Sequence, residues 1–195
     1  SAQQSFLKVV QDNSLHVDVI ISRDPEKIKS SSYIVLPGQG AFQSCMEGLN
    51  NIDGMVDILE QCVLKNKVPF LGICVGMQLL ANESYENGKH KGLGWIEGSI
   101  KKLYGPNLKL PHMGWNNVEV RKNFPKMIFS IENKDFYFVH SYYFDCLNQK
   151  NVIGSTKYGL NFASIVGKEN IYGVQFHPEK SSVQGLQLIK DFLSI

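Results

Sequence analysis

Apolar positions recur along the chain with two periods, and the period separates helix from strand. Phe6, Val9 and Val10 share one helical face over residues 5–11. Ile52, Met55, Val56, Leu59 and Val63 do the same over residues 52–65, and Leu186, Ile189, Phe192 and Leu193 over about 183–193. Short apolar runs between them predict strands at 16–21, at 33–36 (closed by Pro37-Gly38) and at 68–73, the last leading at once into a helix over 76–82. Strands apolar on both faces, alternating with helices, predict a parallel sheet covered on both sides.

The second half of the chain changes character. Residues 93–103, 118–121, 136–145, 152–156, 162–166 and 171–176 read as shorter, partly antiparallel strands separated by Gly- and Asn-bearing turns. The pattern therefore predicts an α/β fold, with a mostly parallel central sheet flanked by helices and a mixed, antiparallel β extension. No repeat, low-complexity stretch or linker divides the sequence, so residues 1–195 are expected to form one domain.

Composition sharpens this picture mainly by exclusion. At 43% hydrophobic and 19% charged residues, the 195-residue chain can bury a sizeable core. A net charge of +2 with scattered basic residues favours neither nucleic acid nor an acidic membrane surface as partner. The longest apolar run, residues 68–75, is far too short to span a bilayer, and the polar N-terminus lacks a signal-peptide pattern, so a cytoplasmic protein is expected. Cys45, Cys62, Cys74 and Cys146 include no C-x-x-C pair, which argues against a metal site, and a disulfide framework is not expected in a chain this long.

Gly72-Ile73-Cys74-Val75-Gly76 follows a buried strand and opens a helix, a G-x-nucleophile-x-G arrangement. A sharp turn would hold the sulfur exposed at the strand end, and the helix N-terminus favours the thiolate. The Val75 N–H would then face a developing oxyanion. Taken alone, the pentapeptide fits equally well a Gly-rich turn around a buried cysteine. A second cluster adds what a thiol nucleophile needs. The strand ending Gly173-Val174-Gln175-Phe176 runs into His177-Pro178-Glu179, placing at one strand end a base and a carboxylate to orient it. His16, His90, His112 and His140 keep the ordinary reading of core or surface histidines.

With Leu36-Pro-Gly-Gln-Gly-Ala-Phe42 ahead of them, residues 72–78 and 174–181 resemble the motifs of class I, triad-type glutamine amidotransferases. Residues 111–116 (Pro-His-Met-Gly-Trp-Asn) and 137–142 (Tyr-Phe-Val-His-Ser-Tyr) are similar to the glutaminase subunits of imidazole glycerol phosphate synthases in histidine biosynthesis. The resemblance implies L-glutamine as substrate, no cofactor and no metal, and a heterodimer with a (β/α)8-barrel synthase subunit that receives the ammonia. It implies a triad of Cys74, His177 and Glu179, with Val75, Gln39 and Gly40 at the oxyanion. It assigns Gly38, Gly40, Gln78, Glu86, Ser141 and Tyr142 to the glutamine site, and Met113, Trp115, Asn116, Tyr137 and Lys180 to the partner interface. The family's chains open with an apolar strand and a Gly-rich turn that precede the position of residue 1 here, so the central first strand is expected to be absent. Three alternatives stay open at this point. They are a paralogous glutaminase serving another synthase, such as one amidinating surface sugars, a stand-alone cysteine hydrolase, and an inactive regulatory subunit.

Overall fold

The computed structural model describes residues 1–121 and 133–195. The first half contains α1 (Ala2–Asp12), α2 (Pro25–Lys29), β1 (Ile34–Gly38), α3 (Phe42–Asn50), α4 (Met55–Glu60), β2 (Phe70–Cys74) and α5 (Val75–Gln78). A π-helical turn, Gln61–Lys65, continues α4. The second half contains β3 (Glu83–Ser84), β4 (His90–Lys91), β5 (Gly98–Lys102), β6 (His112–Val120), β7 (Lys134–His140), β8 (Tyr142–Cys146), β9 (Val152–Tyr158), β10 (Leu160–Lys168) and β11 (Ile171–Val174). The last helix is α6 (Ser182–Phe192).

The expected α/β architecture is present. Every residue of β2 and β11 is buried, which is why both read as unbroken apolar runs. β2 is the middle of a parallel ladder, with β1 on one side and β11 on the other. Antiparallel pairing then carries the sheet outward from β11 through β10, β8 and β5. The paired strands β6 and β7 leave this main path and are linked back to it through β9. One apolar cluster runs from Phe6 and Val9 of α1 through β2 and β11 to Leu188, Ile189 and Phe192 of α6.

Several boundaries differ from the sequence reading, each for a physical reason. Residues 16–21 form no strand. Leu15 and Val19 pack inward while His16, Asp18 and Ile20 are exposed, so the segment lies extended along the core. What this segment lacks, among the described residues, is a neighbouring backbone to complete a ladder. The helix expected over 76–82 is a single turn, Val75–Gln78. The carbonyls of Leu79, Leu80 and Ala81, which a longer helix would use, instead accept from Leu93, Ile96 and Gly94. The strand expected over 136–145 breaks at Ser141, because β7 pairs with β6 whereas β8 pairs with β5 and β10. Residues 112–117 join the strand expected to begin at 118, and α3 was not anticipated.

Candidate active site

Cys74 ends β2 and precedes α5, with φ 55° and ψ −111°. A positive φ is uncommon for a residue with a Cβ, and such strain persists only where the surroundings impose it. Here the constraint is close packing. A Cβ on Gly76 would lie 1.8 Å from the Leu36 carbonyl oxygen, and one on Gly38 would lie 2.7 Å from the Gly76 nitrogen. The end of β1 and the first turn of α5 therefore touch backbone to backbone, in a register that sets Gly38 opposite Cys74.

His177 leaves the end of β11 and is buried. Its N–H donates to the Tyr137 carbonyl at 2.9 Å. The Ser181 hydroxyl donates to the His177 carbonyl at 2.6 Å and accepts from the Tyr137 N–H at 3.0 Å. This clamp fixes the turn (Pro178–Lys180) that returns the Glu179 carboxylate to the imidazole. His177 Nδ1 lies 2.9 Å from Glu179 Oε1. Burial disfavours the imidazolium, but interactions with the Cys74 thiol and with Glu179 outweigh it and raise His177 from its ordinary 6.5 to about 9. Burial likewise disfavours the Glu179 carboxylate, yet the hydrogen bond from His177 holds its pKa below the usual carboxylate value.

A cavity of about 410 Å³ opens over Cys74 and is lined by Gln39, Gly40, Val75, Gln78, Glu86, Ser141, Tyr142, His177 and Lys180, among others. Those assigned residues come together here from five separate stretches of sequence. Glu86 also accepts from the Phe42 N–H at 2.7 Å, which ties its loop to the start of α3. Pro111, Val139 and His140 complete the lining.

Met113 and Trp115 project outward from β6, 62% and 53% exposed. The Trp115 and Tyr137 rings meet edge to face across β6 and β7, and Lys180 Nζ lies 6.0 Å from the Tyr137 ring centroid. Asn116, by contrast, turns its carboxamide to His112 and to the Lys157 carbonyl. Burial raises the pKa of the other three thiols, Cys146 to about 11, which makes them poor nucleophiles at neutral pH.

Sequence reasoning gave Gln175 no role, yet its Nε2 lies 3.8 Å from the Cys74 sulfur and its Oε1 accepts from Gln78 Nε2 at 3.0 Å. The available signal was a glutamine inside an otherwise apolar buried run. No helix among the described residues is long and apolar enough to cross a membrane, and no group of three or more metal-ligating side chains occurs among them.

An elbow thiol, a histidine and a carboxylate meet at the ends of adjacent parallel strands, the arrangement that cysteine-dependent hydrolases use. The model of the family "Glutamine amidotransferase class-I" matches residues 2–195, and the chain belongs to that family. Within it, the chain is 43% identical to "Imidazole glycerol phosphate synthase subunit HisH" of Rhodospirillum rubrum, over 99% of this chain and 92% of the relative. It is 48% identical to the subunit HisH 2 of Methanococcus maripaludis, over 90% of this chain and 87% of that one. A solved glutamine amidotransferase structure superposes with a TM-score of 0.73 at 17% identity, covering 98% of this chain and 92% of the other, a likeness of fold.

Proposed function

We infer that the chain is an enzyme that hydrolyses L-glutamine to glutamate and ammonia and supplies the ammonia to a synthase subunit in histidine biosynthesis. The observation that carries this reading is the meeting of Cys74, His177 and Glu179 at one cavity, in a chain so similar to HisH subunits. The family match over residues 2–195 supports treating the whole chain as one amidotransferase domain. Four free cysteines, one of them the proposed nucleophile, suit a reducing compartment, and we place the chain in the cytoplasm.

In the proposed mechanism His177 holds the Cys74 proton, and the thiolate attacks the side-chain carboxamide carbon of glutamine. The raised pKa of His177 suits it to hold that proton at neutral pH. The Val75 N–H and a backbone N–H of the Gln39–Gly40 segment meet the tetrahedral oxyanion. His177 then returns its proton to the departing nitrogen, and ammonia leaves a γ-glutamyl thioester. Water, deprotonated by His177, attacks the thioester carbonyl and releases glutamate. Glu179 orients the imidazole and stabilises its charged form. Gly38, Gly40, Gln78, Glu86 and the backbone of Ser141 and Tyr142 hold the substrate's amino-acid end.

Ammonia is mostly protonated in neutral water and then not nucleophilic, so the acceptor site must lie directly over this cavity. We propose a heterodimer with a (β/α)8-barrel synthase subunit, docked on the face carrying Met113, Trp115, Tyr137 and Lys180, with Asn116 behind it. Exposed Trp and Met are residue types enriched at interfaces. Measuring glutamate release with and without the synthase subunit tests the reading. Activity in neither case overturns it.

A further inference from the structure

We propose that His112 and His140 are positioning residues for glutamine binding, a one-way hydrogen-bonded pair that sets the Ser141–Tyr142 corner of the cavity. The inference rests on the glutaminase reading, because that corner is where the substrate's amino-acid end is placed.

The two histidines face each other across the β6–β7 ladder, and both are buried. His140 Nδ1 lies 2.8 Å from the Tyr142 carbonyl oxygen, and His112 Nδ1 lies 2.9 Å from His140 Nε2. A carbonyl can only accept, so His140 Nδ1 carries the hydrogen. Burial holds both rings neutral, with His112 lowered to about 4 and His140 to about 3. In a neutral ring with hydrogen on Nδ1, Nε2 accepts, so the hydrogen between the rings belongs to His112 Nδ1. His112 Nε2 must then accept in turn, and the Asn116 amide lies 3.2 Å away to donate to it. The second hydrogen of that amide goes to the Lys157 carbonyl at 3.1 Å. Every donor in the series points toward Tyr142, and the terminal carbonyl forbids the reverse order.

The Tyr142 carbonyl has a second donor. Gln78 Nε2 reaches it at 3.2 Å, and Gln78 also donates to Gln175, the neighbour of the Cys74 sulfur. One peptide oxygen thus joins the histidine pair to the residues around the nucleophile. The pair is held from its flanks as well: the His112 ring stacks on Tyr158 at 4.0 Å and on Phe138 at 4.8 Å. This rigidity matters because Ser141 is the break between β7 and β8, where the Leu103 N–H holds the Ser141 carbonyl at 2.9 Å and the histidine pair holds the carbonyl that follows it. A pair that merely filled space would be replaceable by apolar side chains of the same shape. A pair that orients the peptide would not, because the donor to Tyr142 is what counts.

The full chain tests this in two ways. Long-range nitrogen–proton NMR of the unaltered protein at neutral pH should show His112 and His140 as uncharged Nδ1–H tautomers. Labelling of Cys74, followed by mass spectrometry, should separate binding from nucleophilicity when a diazoketone analogue of glutamine is compared with iodoacetamide. His140→Leu should raise the analogue concentration for half-maximal labelling by about tenfold, as expected for loss of one buried hydrogen bond, well beyond any change in the iodoacetamide rate. His140→Asn keeps an N–H near the Nδ1 position and should return the value to within about threefold of wild type. An Nε2–H tautomer or an imidazolium at either histidine overturns the inference, as does a wild-type half-saturation in His140→Leu. Wild-type protein labelled by iodoacetamide at Cys74 but never by the glutamine analogue overturns the glutaminase reading itself.

Discussion

The side-chain amide of Gln175 points at the sulfur of Cys74 from 3.8 Å while its oxygen accepts from Gln78. The proposed nucleophile therefore has a polar neighbour besides His177, one suited to a sulfur that carries negative charge. Gln175→Glu preserves size but sets a carboxylate there, and like charges disfavour the thiolate. Alkylation of Cys74 by iodoacetamide should slow by about tenfold or more. A wild-type rate in the folded variant would remove Gln175 from the nucleophile's environment.

Cys74→Ala should lose glutaminase activity by roughly 10⁴-fold or more, as expected when a nucleophile is removed. The side chain is small and the strain at φ 55° comes from the backbone packing, so the fold should persist. Circular dichroism alongside a glutamate-release assay checks both halves. Matching substitutions at Cys62 or Cys146 should leave turnover largely intact.

Glu179→Gln should reduce kcat by about 10³- to 10⁴-fold with little change in KM, since the carboxylate acts on His177 rather than on substrate. A large rise in KM at constant kcat would instead assign Glu179 to binding. The pH dependence follows from the same pair. His177 is raised from 6.5 to about 9, so the stability from its charged form is fully present below about 6.5 and is lost as pH rises through about 9. Thermal melts across that window should show the wild type losing more stability than Glu179→Gln.

Gly76→Ala should be among the most damaging single substitutions in the chain. Its methyl group would lie 1.8 Å from a backbone oxygen, which no rotamer change relieves. Destabilisation of about 3 kcal/mol or more is expected from overpacking of this kind. Chemical denaturation measures it, and a loss below about 0.5 kcal/mol would mean that β1 and α5 separate easily.

Lys180→Ala should weaken association with the synthase subunit. An ion pair buried across the boundary would make that loss about 3–5 kcal/mol, whereas a charge at the rim would be worth about 1 kcal/mol or less. Titration calorimetry distinguishes these cases, and unchanged affinity together with unchanged glutamine-dependent synthesis would take Lys180 out of the interface.

Motifs in which backbone shape and chemistry coincide were legible in the sequence. The glycines around Cys74 announced a close approach, and Pro178 announced the end of a strand beside an imidazole and a carboxylate. Harder to read were features that depend on distant partners. The apolar run over residues 16–21 reads as a strand by itself, yet no strand forms there, because a strand needs a partner that the run does not specify. α5 is short because residues 93–96 take the carbonyls of Leu79, Leu80 and Ala81 just beyond it, a tertiary contact without local signature. His112 and His140 are ordinary histidines in sequence, 28 positions apart, and only the β6–β7 register joins them.

The two sides of the proposed oxyanion site stand on ground of unequal firmness. β2, which delivers Cys74 and Val75, has a hydrogen-bonded strand on each flank. β1, which delivers Gly38 and leads into Gln39 and Gly40, is bonded among the described residues only to β2. In the hierarchy of local openings that amide hydrogen exchange resolves, an outer strand opens at lower free energy than an inner one. Amides of residues 35–40 should therefore exchange well before those of residues 70–75. The nucleophile would then belong to the slowest-opening unit of the sheet and its glycine loop to one of the fastest, so whatever restrains that loop could govern turnover without ever touching the thiol.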